Sequence, residues 1–226
     1  NDEVVRSDTS VVSSPAPSAA PEAGASVDSP PASAPSRDPR SVVLFLGTSL
    51  TEGLGLPPGE PGYPERIQER IDREGLPFRV VNAGVSGDTS AGGLARLDWV
   101  LRNPVDVLVV ELGANDGLRG LPVSALEDNL RTVVRQARES NPAMDVVLLA
   151  MEAPPNLGSD YVDAFRSTFS RVAEQEGVSL VPFFLDGIAG IPSLNQDDGI
   201  HPTGEGHQIM ADRVWTVLEP LLRGAA

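Results

Sequence analysis

The chain has no cysteine, so disulfides, thiolate catalysis and cysteine-ligated metal sites are excluded. It also has no lysine. All seventeen basic residues are arginine, against thirty-two acidic ones, for a net charge of −15. GC-rich coding explains an all-arginine set, and adaptation to salt is the alternative. Clustered basic charge, the footprint of nucleic-acid binding, is missing, and the acidic balance argues equally against docking on an anionic membrane. Aromatic residues make up only 4% of the sequence, few for sandwiching a flavin. No apolar run approaches the ~18–20 residues needed to cross a bilayer. What remains is a chain of 226 residues, 40% hydrophobic, long enough for one domain with a substantial core.

Residues 1–40 differ from the rest. They are rich in Pro, Ala and Ser and hold no aromatic residue, with six acids against three arginines for a net −3. Such a segment cannot bury enough apolar surface to offset its ordering entropy and is expected to be a disordered tail or linker. The sequence begins at Asn1 rather than Met. Together these features fit a spacer behind a removed signal peptide or a lipid-modified terminus. An exported protein (periplasmic, extracellular or lipid-tethered) is therefore expected, with a cytoplasmic protein carrying an ordinary tail as the alternative.

From residue 41 to 226 the pattern alternates. Short apolar runs at 41–46, 78–82, 105–112, 145–151 and 178–182 read as strands. Segments 64–74, 91–102, 122–139, 159–175 and 203–222 read as helices, the last with Thr203 as its cap. Strands alternating with helices of this length imply a parallel sheet covered on both faces. The expected fold is α/β: a three-layer α/β/α sandwich around a flavodoxin-like five-stranded parallel sheet of order 2-1-3-4-5.

Ligands of open α/β sheets bind beyond the carboxyl ends of the strands. Four short blocks fall there: Gly47-Thr48-Ser49-Leu50, Ser86-Gly87-Asp88, Gly113-Ala114-Asn115-Asp116 and Asp198-Gly199-Ile200-His201. A serine hydroxyl is a poor nucleophile until a base takes its proton. Ser49 is the candidate nucleophile and His201 the candidate base. Asp198, three residues earlier, can hold the imidazole in one tautomer and stabilise the imidazolium. The other histidine, His207, falls inside the last helix and reads as a packing residue. Ester hydrolysis passes through an oxyanion, for which preorganised N–H donors are needed. The backbone N–H groups of Ser49 and Gly87 and the side-chain amide of Asn115 are the candidates.

Joined in this order, the blocks resemble the SGNH hydrolases, also called the GDSL esterase/lipase superfamily, over nearly all of residues 41–222. The thioesterase I/arylesterase branch is most similar, through VNAGVSGDTSAGGLARL (81–97), LGANDGLRG (112–120), MEAPPNLGSDYVDAF (151–165) and LNQDDGIHPTGEGH (194–207). The resemblance puts Ser, Gly, Asn and His of the family name at Ser49, Gly87, Asn115 and His201, with Asp198 as the acidic partner. It implies hydrolysis of carboxylic esters through an acyl-enzyme, on short-chain or aryl esters, acyl thioesters or lysophospholipids. It also implies a mobile loop beside the acyl groove at residues 154–161, with Pro155, Asn156 and Leu157 touching substrate. No metal, organic cofactor or stable protein partner is implied; the expected partner is a small ester or lipid substrate. The sequence departs from the family at Thr48, where Asp usually precedes the nucleophile. Two other readings are a carbohydrate O-acetyl esterase on the same machinery and a non-catalytic binding module on a decayed hydrolase fold.

Overall fold

A computed structural model describes residues 38–225. The tail expected at residues 1–40 therefore lies, up to residue 37, outside the described residues.

Five strands form one sheet: β1 (Ser41–Gly47), β2 (Phe78–Gly84), β3 (Val107–Val110), β4 (Asp145–Leu149) and β5 (Ser179–Val181). Their order is β2-β1-β3-β4-β5, every neighbouring pair is parallel, and the expected topology is met. Burial explains the sequences. Strands β1, β3 and β4 have neighbours on both sides and helices on both faces, and they read as continuous apolar runs. β2 lies at an edge, is only half-buried, and carries Arg79 and Asn82.

Helices α2 (Tyr63–Arg73) and α8 (Gly204–Gly224) pack on each other, and α6 (Val123–Ser140) packs against α3 (Ser90–Ala95) and α7 (Ser159–Glu176), giving the expected layers. Each long helix buries one stripe. In α6 it is Leu126, Leu130, Val133, Val134 and Ala137, at the three- and four-residue spacing of a single helix face. Thr203 caps α8 by accepting a hydrogen bond from the Gly206 N–H. Tyr63 is fully buried, edge-on to Phe45 and Phe184, with His207 stacked on its ring. His207 is thus a packing residue, as expected.

The structure differs from the sequence reading in three places. Residues 91–102 form two short helices, α3 and α4 (Leu97–Val100), broken at Arg96, whose side chain bonds the β1 end at Gly47 and the loop residue Asp88 instead of lying along a helix face. Two one-turn helices, α1 (Ser49–Glu52) and α5 (Ala114–Leu118), lie just after β1 and β3. Within the loop expected at residues 154–161, Pro155–Leu157 winds into a 3₁₀ turn and the Tyr161 hydroxyl donates to the Leu121 carbonyl at 2.7 Å, while α7 begins at Ser159, where the helix was expected.

Candidate active site

All five strands point their carboxyl ends at one edge of the sheet, and the segments that leave β1, β3, β4 and β5 line a cavity of about 720 Å³. Ser49 begins α1, two residues past the β1 end at Gly47. The β2 end must come very close to α1, since a Cβ on Gly84 would sit 2.2 Å from the Glu52 backbone nitrogen. Glycine is required there by space alone.

His201 comes from the segment between β5 and α8. Its Nε2 lies 2.9 Å from Ser49 Oγ, across 152 residues of sequence. Its Nδ1 lies 2.5 Å from Asp198 Oδ2. The other carboxylate oxygen of Asp198 accepts from the backbone N–H groups of Ile200 (2.9 Å) and His201 (3.0 Å). The short spacing therefore folds into a closed turn that holds the imidazole from behind. These bonds, the ring contact first, hold the Asp198 carboxyl well below the usual carboxylate range. Gln196 ties the turn to the nucleophile side: its side-chain amide donates to the carbonyls of Leu54 (2.8 Å) and Pro202 (3.0 Å).

Asn115 lies in α5 and lines the cavity with Ser49 and His201. One N–H of its amide donates to the Asp88 carbonyl at 2.7 Å, which fixes the amide plane and leaves the second N–H for another acceptor. Ser49 is the first residue of α1, so its backbone N–H has no partner within the helix.

Gly87 sits in the loop after β2 with φ of +81°, in the left-handed region. It is not among the residues that line the cavity. Its loop is nevertheless pinned to both sides of the site. The Ser86 N–H and hydroxyl bond the Glu52 carboxylate of α1, and the Gly87 carbonyl accepts from Arg119 at 2.8 Å. Of the three residues expected to touch substrate, Pro155 lines the cavity, whereas Asn156 and Leu157 do not; Leu157 packs on the core instead.

Several residues escaped the sequence reading. Arg96 donates to Asp88 Oδ2 (2.7 Å) and to the Gly47 carbonyl (2.8 Å), joining the β1 end to the Gly87 loop. Asp116 accepts from the Ser90 N–H (2.7 Å) and hydroxyl (2.6 Å), joining α5 to α3. Phe183, Leu185, Ala189 and Ile200 supply an apolar wall from an irregular segment with no periodic signal. Beneath Ser49, the fully buried Glu111 accepts from Thr48 and Thr51. Among the described residues no group of three or more His, Asp or Glu side chains is arranged to hold a metal ion.

Residues 45–209 match the GDSL-like lipase/acylhydrolase family. The chain belongs to this family. The GDSL-type domain is 44% identical to the esterase TesA of Pseudomonas aeruginosa over 181 residues, covering 80% of this chain and 89% of that protein. It is 36% identical to the thioesterase 1/protease 1/lysophospholipase L1 of Escherichia coli K12, covering 80% and 84% of the two chains. A crystal structure of TesA superposes with a TM-score of 0.76 at 42% identity, over 80% of this chain and 99% of that one. The protein is a GDSL-type esterase, a hydrolase of carboxylic esters, with the fold of its relatives.

Proposed function

We propose that Ser49, His201 and Asp198 form the catalytic triad of this esterase. The 2.9 Å contact between Ser49 Oγ and His201 Nε2 carries the reading. With Asp198 accepting from the Nδ1 hydrogen, Nε2 holds the lone pair that takes the serine proton. Ser49 Oγ then attacks the ester carbonyl. The imidazolium returns the proton to the leaving alcohol, and water resolves the acyl-enzyme by the same route reversed.

The oxyanion is assigned to the Ser49 N–H, the remaining N–H of Asn115 and the Gly87 N–H. Gly87 is supported by its neighbours, Ser86 bonding Glu52 of α1 and Asp88 bonding Asn115, which tie its loop to the two helices that carry the other donors. The cavity wall is largely apolar, with Leu118, Met151, Pro155, Phe183 and Ile200 around it. That lining favours acyl esters over acetylated sugars, whose hydroxyls would lack partners. Export is proposed on the composition of residues 1–40, and fractionation of expressing cells tests it.

Replacing Ser49 with Ala should abolish hydrolysis of p-nitrophenyl butyrate and labelling by a fluorophosphonate probe, with an unchanged circular dichroism spectrum. Retained turnover would refute the assignment.

A further inference from the structure

We propose that Glu111 is a positioning residue for the nucleophile: its buried carboxylate holds the turn that carries Ser49. The inference rests on Ser49 being the nucleophile. Glu111 follows β3 directly and has no exposed surface. Its Oε2 accepts from the Thr48 N–H (2.8 Å), the Thr48 hydroxyl (3.0 Å) and the Thr51 hydroxyl (2.9 Å), and Oε1 lies 3.1 Å from the Thr48 hydroxyl. These donors flank Ser49 on both sides. The residue before the nucleophile and the residue two after it are anchored to one carboxylate just past the end of the neighbouring strand, so the direction of Ser49 Oγ and of its N–H follows from that anchor.

The donor inventory fixes the charge state that the anchor needs. Each threonine hydroxyl has one hydrogen. Thr51 donates its own to Glu111 and accepts from the Tyr63 hydroxyl, 2.7 Å away, so the chain of bonds runs Tyr63 to Thr51 to Glu111 in one direction. An added proton must reverse one of these hydroxyls: on Oε1 it would point at Thr48 Oγ1 and turn the Thr48 hydrogen away, and on Oε2 it would point at Thr51 Oγ1 and turn the Thr51 hydrogen toward Tyr63. The anchor therefore works as a carboxylate and loosens as an acid.

Burial, opposed by the bonds from Thr48 and Thr51, pushes the Glu111 carboxyl up to about 7. The change of state thus falls inside the working range of an esterase. The titratable group facing it from α2 is Tyr63, itself pushed up by burial and by the Glu111 charge, and His207 of α8 stacks on Tyr63. From the turn between α3 and α4, Arg96 reaches the same strand end through the Gly47 carbonyl and Asp88. Thr48 also explains how this chain tolerates its departure from the family pattern. An Asp at position 48 would set two carboxylates to compete for one proton, whereas Thr brings the hydrogen with it.

Two measurements test the proposal. The backbone amide resonance of Thr48, followed by NMR through neutral pH, should show one titration step near 7 in wild type and in Ser49→Ala, and none in Glu111→Gln. Ester kinetics should show a steeper slope of log kcat/KM against pH through 7 in wild type than in Glu111→Gln, since only the wild type must ionise position 111. Glu111→Gln should also lower the plateau by about 10- to 100-fold, mostly in kcat. If Glu111→Gln fails to fold, Thr48→Val leaves the buried acid in place and should lower kcat by about 10-fold, with Thr48→Ser restoring it. A Thr48 amide that does not respond to pH, or variants with the wild-type plateau and slope, would overturn the proposal. Absence of ester turnover in the wild type would count against the proposed function alone, since the amide titration decides the role of Glu111 without it.

Discussion

Two buried groups in this fold bind protons with opposite consequences, and removing one should expose the other. Burial lifts Glu111 from 4.5 to about 7. The folded chain therefore favours the neutral acid. The stability this confers is complete below about pH 4.5 and is lost as pH rises to about 7, a change of ~3 kcal/mol. His207 behaves in reverse. Burial first, and then the positive charges of Arg66 and His201, lower it from 6.5 to about 4. Its Nδ1 accepts from the Tyr63 N–H at 3.2 Å, which requires a neutral ring. The unfolded chain binds the extra proton between those limits. Stability is thus complete above about pH 6.5 and is lost by ~3 kcal/mol as pH falls to about 4.

The two windows nearly coincide, so in wild type the gains and losses cancel and stability should change little between about pH 4.5 and 7. Glu111→Gln removes one side. Urea unfolding at closely spaced pH values should then show stability rising by ~3 kcal/mol from about pH 4 to 6.5, the His207 contribution alone. His207→Asn, which keeps an acceptor for Tyr63, should show the opposite slope. The glutamine in Glu111→Gln would also set an amide N–H against the threonine donors, but that cost does not vary with pH, so the slope is the quantity to read. If Glu111→Gln and wild type show the same pH dependence, Glu111 does not titrate in this window and the reasoning fails.

Asn115→Ala should lower kcat by about 10²–10³-fold with KM little changed, because the amide is needed where negative charge develops on the substrate; a change confined to KM would remove Asn115 from the oxyanion site. Gly84→Ala should lower unfolding free energy by ~3 kcal/mol in a thermal or urea melt, since a methyl there would meet the Glu52 backbone nitrogen at 2.2 Å. An unchanged melt would mean that α1 yields easily and is not held against β2.

What could be read from the sequence and what could not divides along a physical line. The strands were legible because the buried stretches of parallel strands must be continuously apolar, and Val42–Leu46 of β1, all of β3 and Val146–Leu149 of β4 are. Ser49 and His201 were legible because strand ends of an α/β sheet converge whatever lies between them, and Asp198 because three residues suffice to close a turn behind His201. The helices α1 and α5 were missed because a single turn has no period to detect. Arg96 was hidden inside a helical pattern, yet its guanidinium ends the helix by binding Gly47 and Asp88. Glu111 shows the sharper limit. An acid just past the end of an apolar strand looks like a surface residue, and only contacts spanning sixty or more residues of sequence reveal it as buried beneath the nucleophile. An ionised carboxylate held there costs folding free energy at neutral pH. A solvent-facing strand end would give the same sequence without that cost, so the burial itself points to a task that an apolar residue at position 111 could not perform.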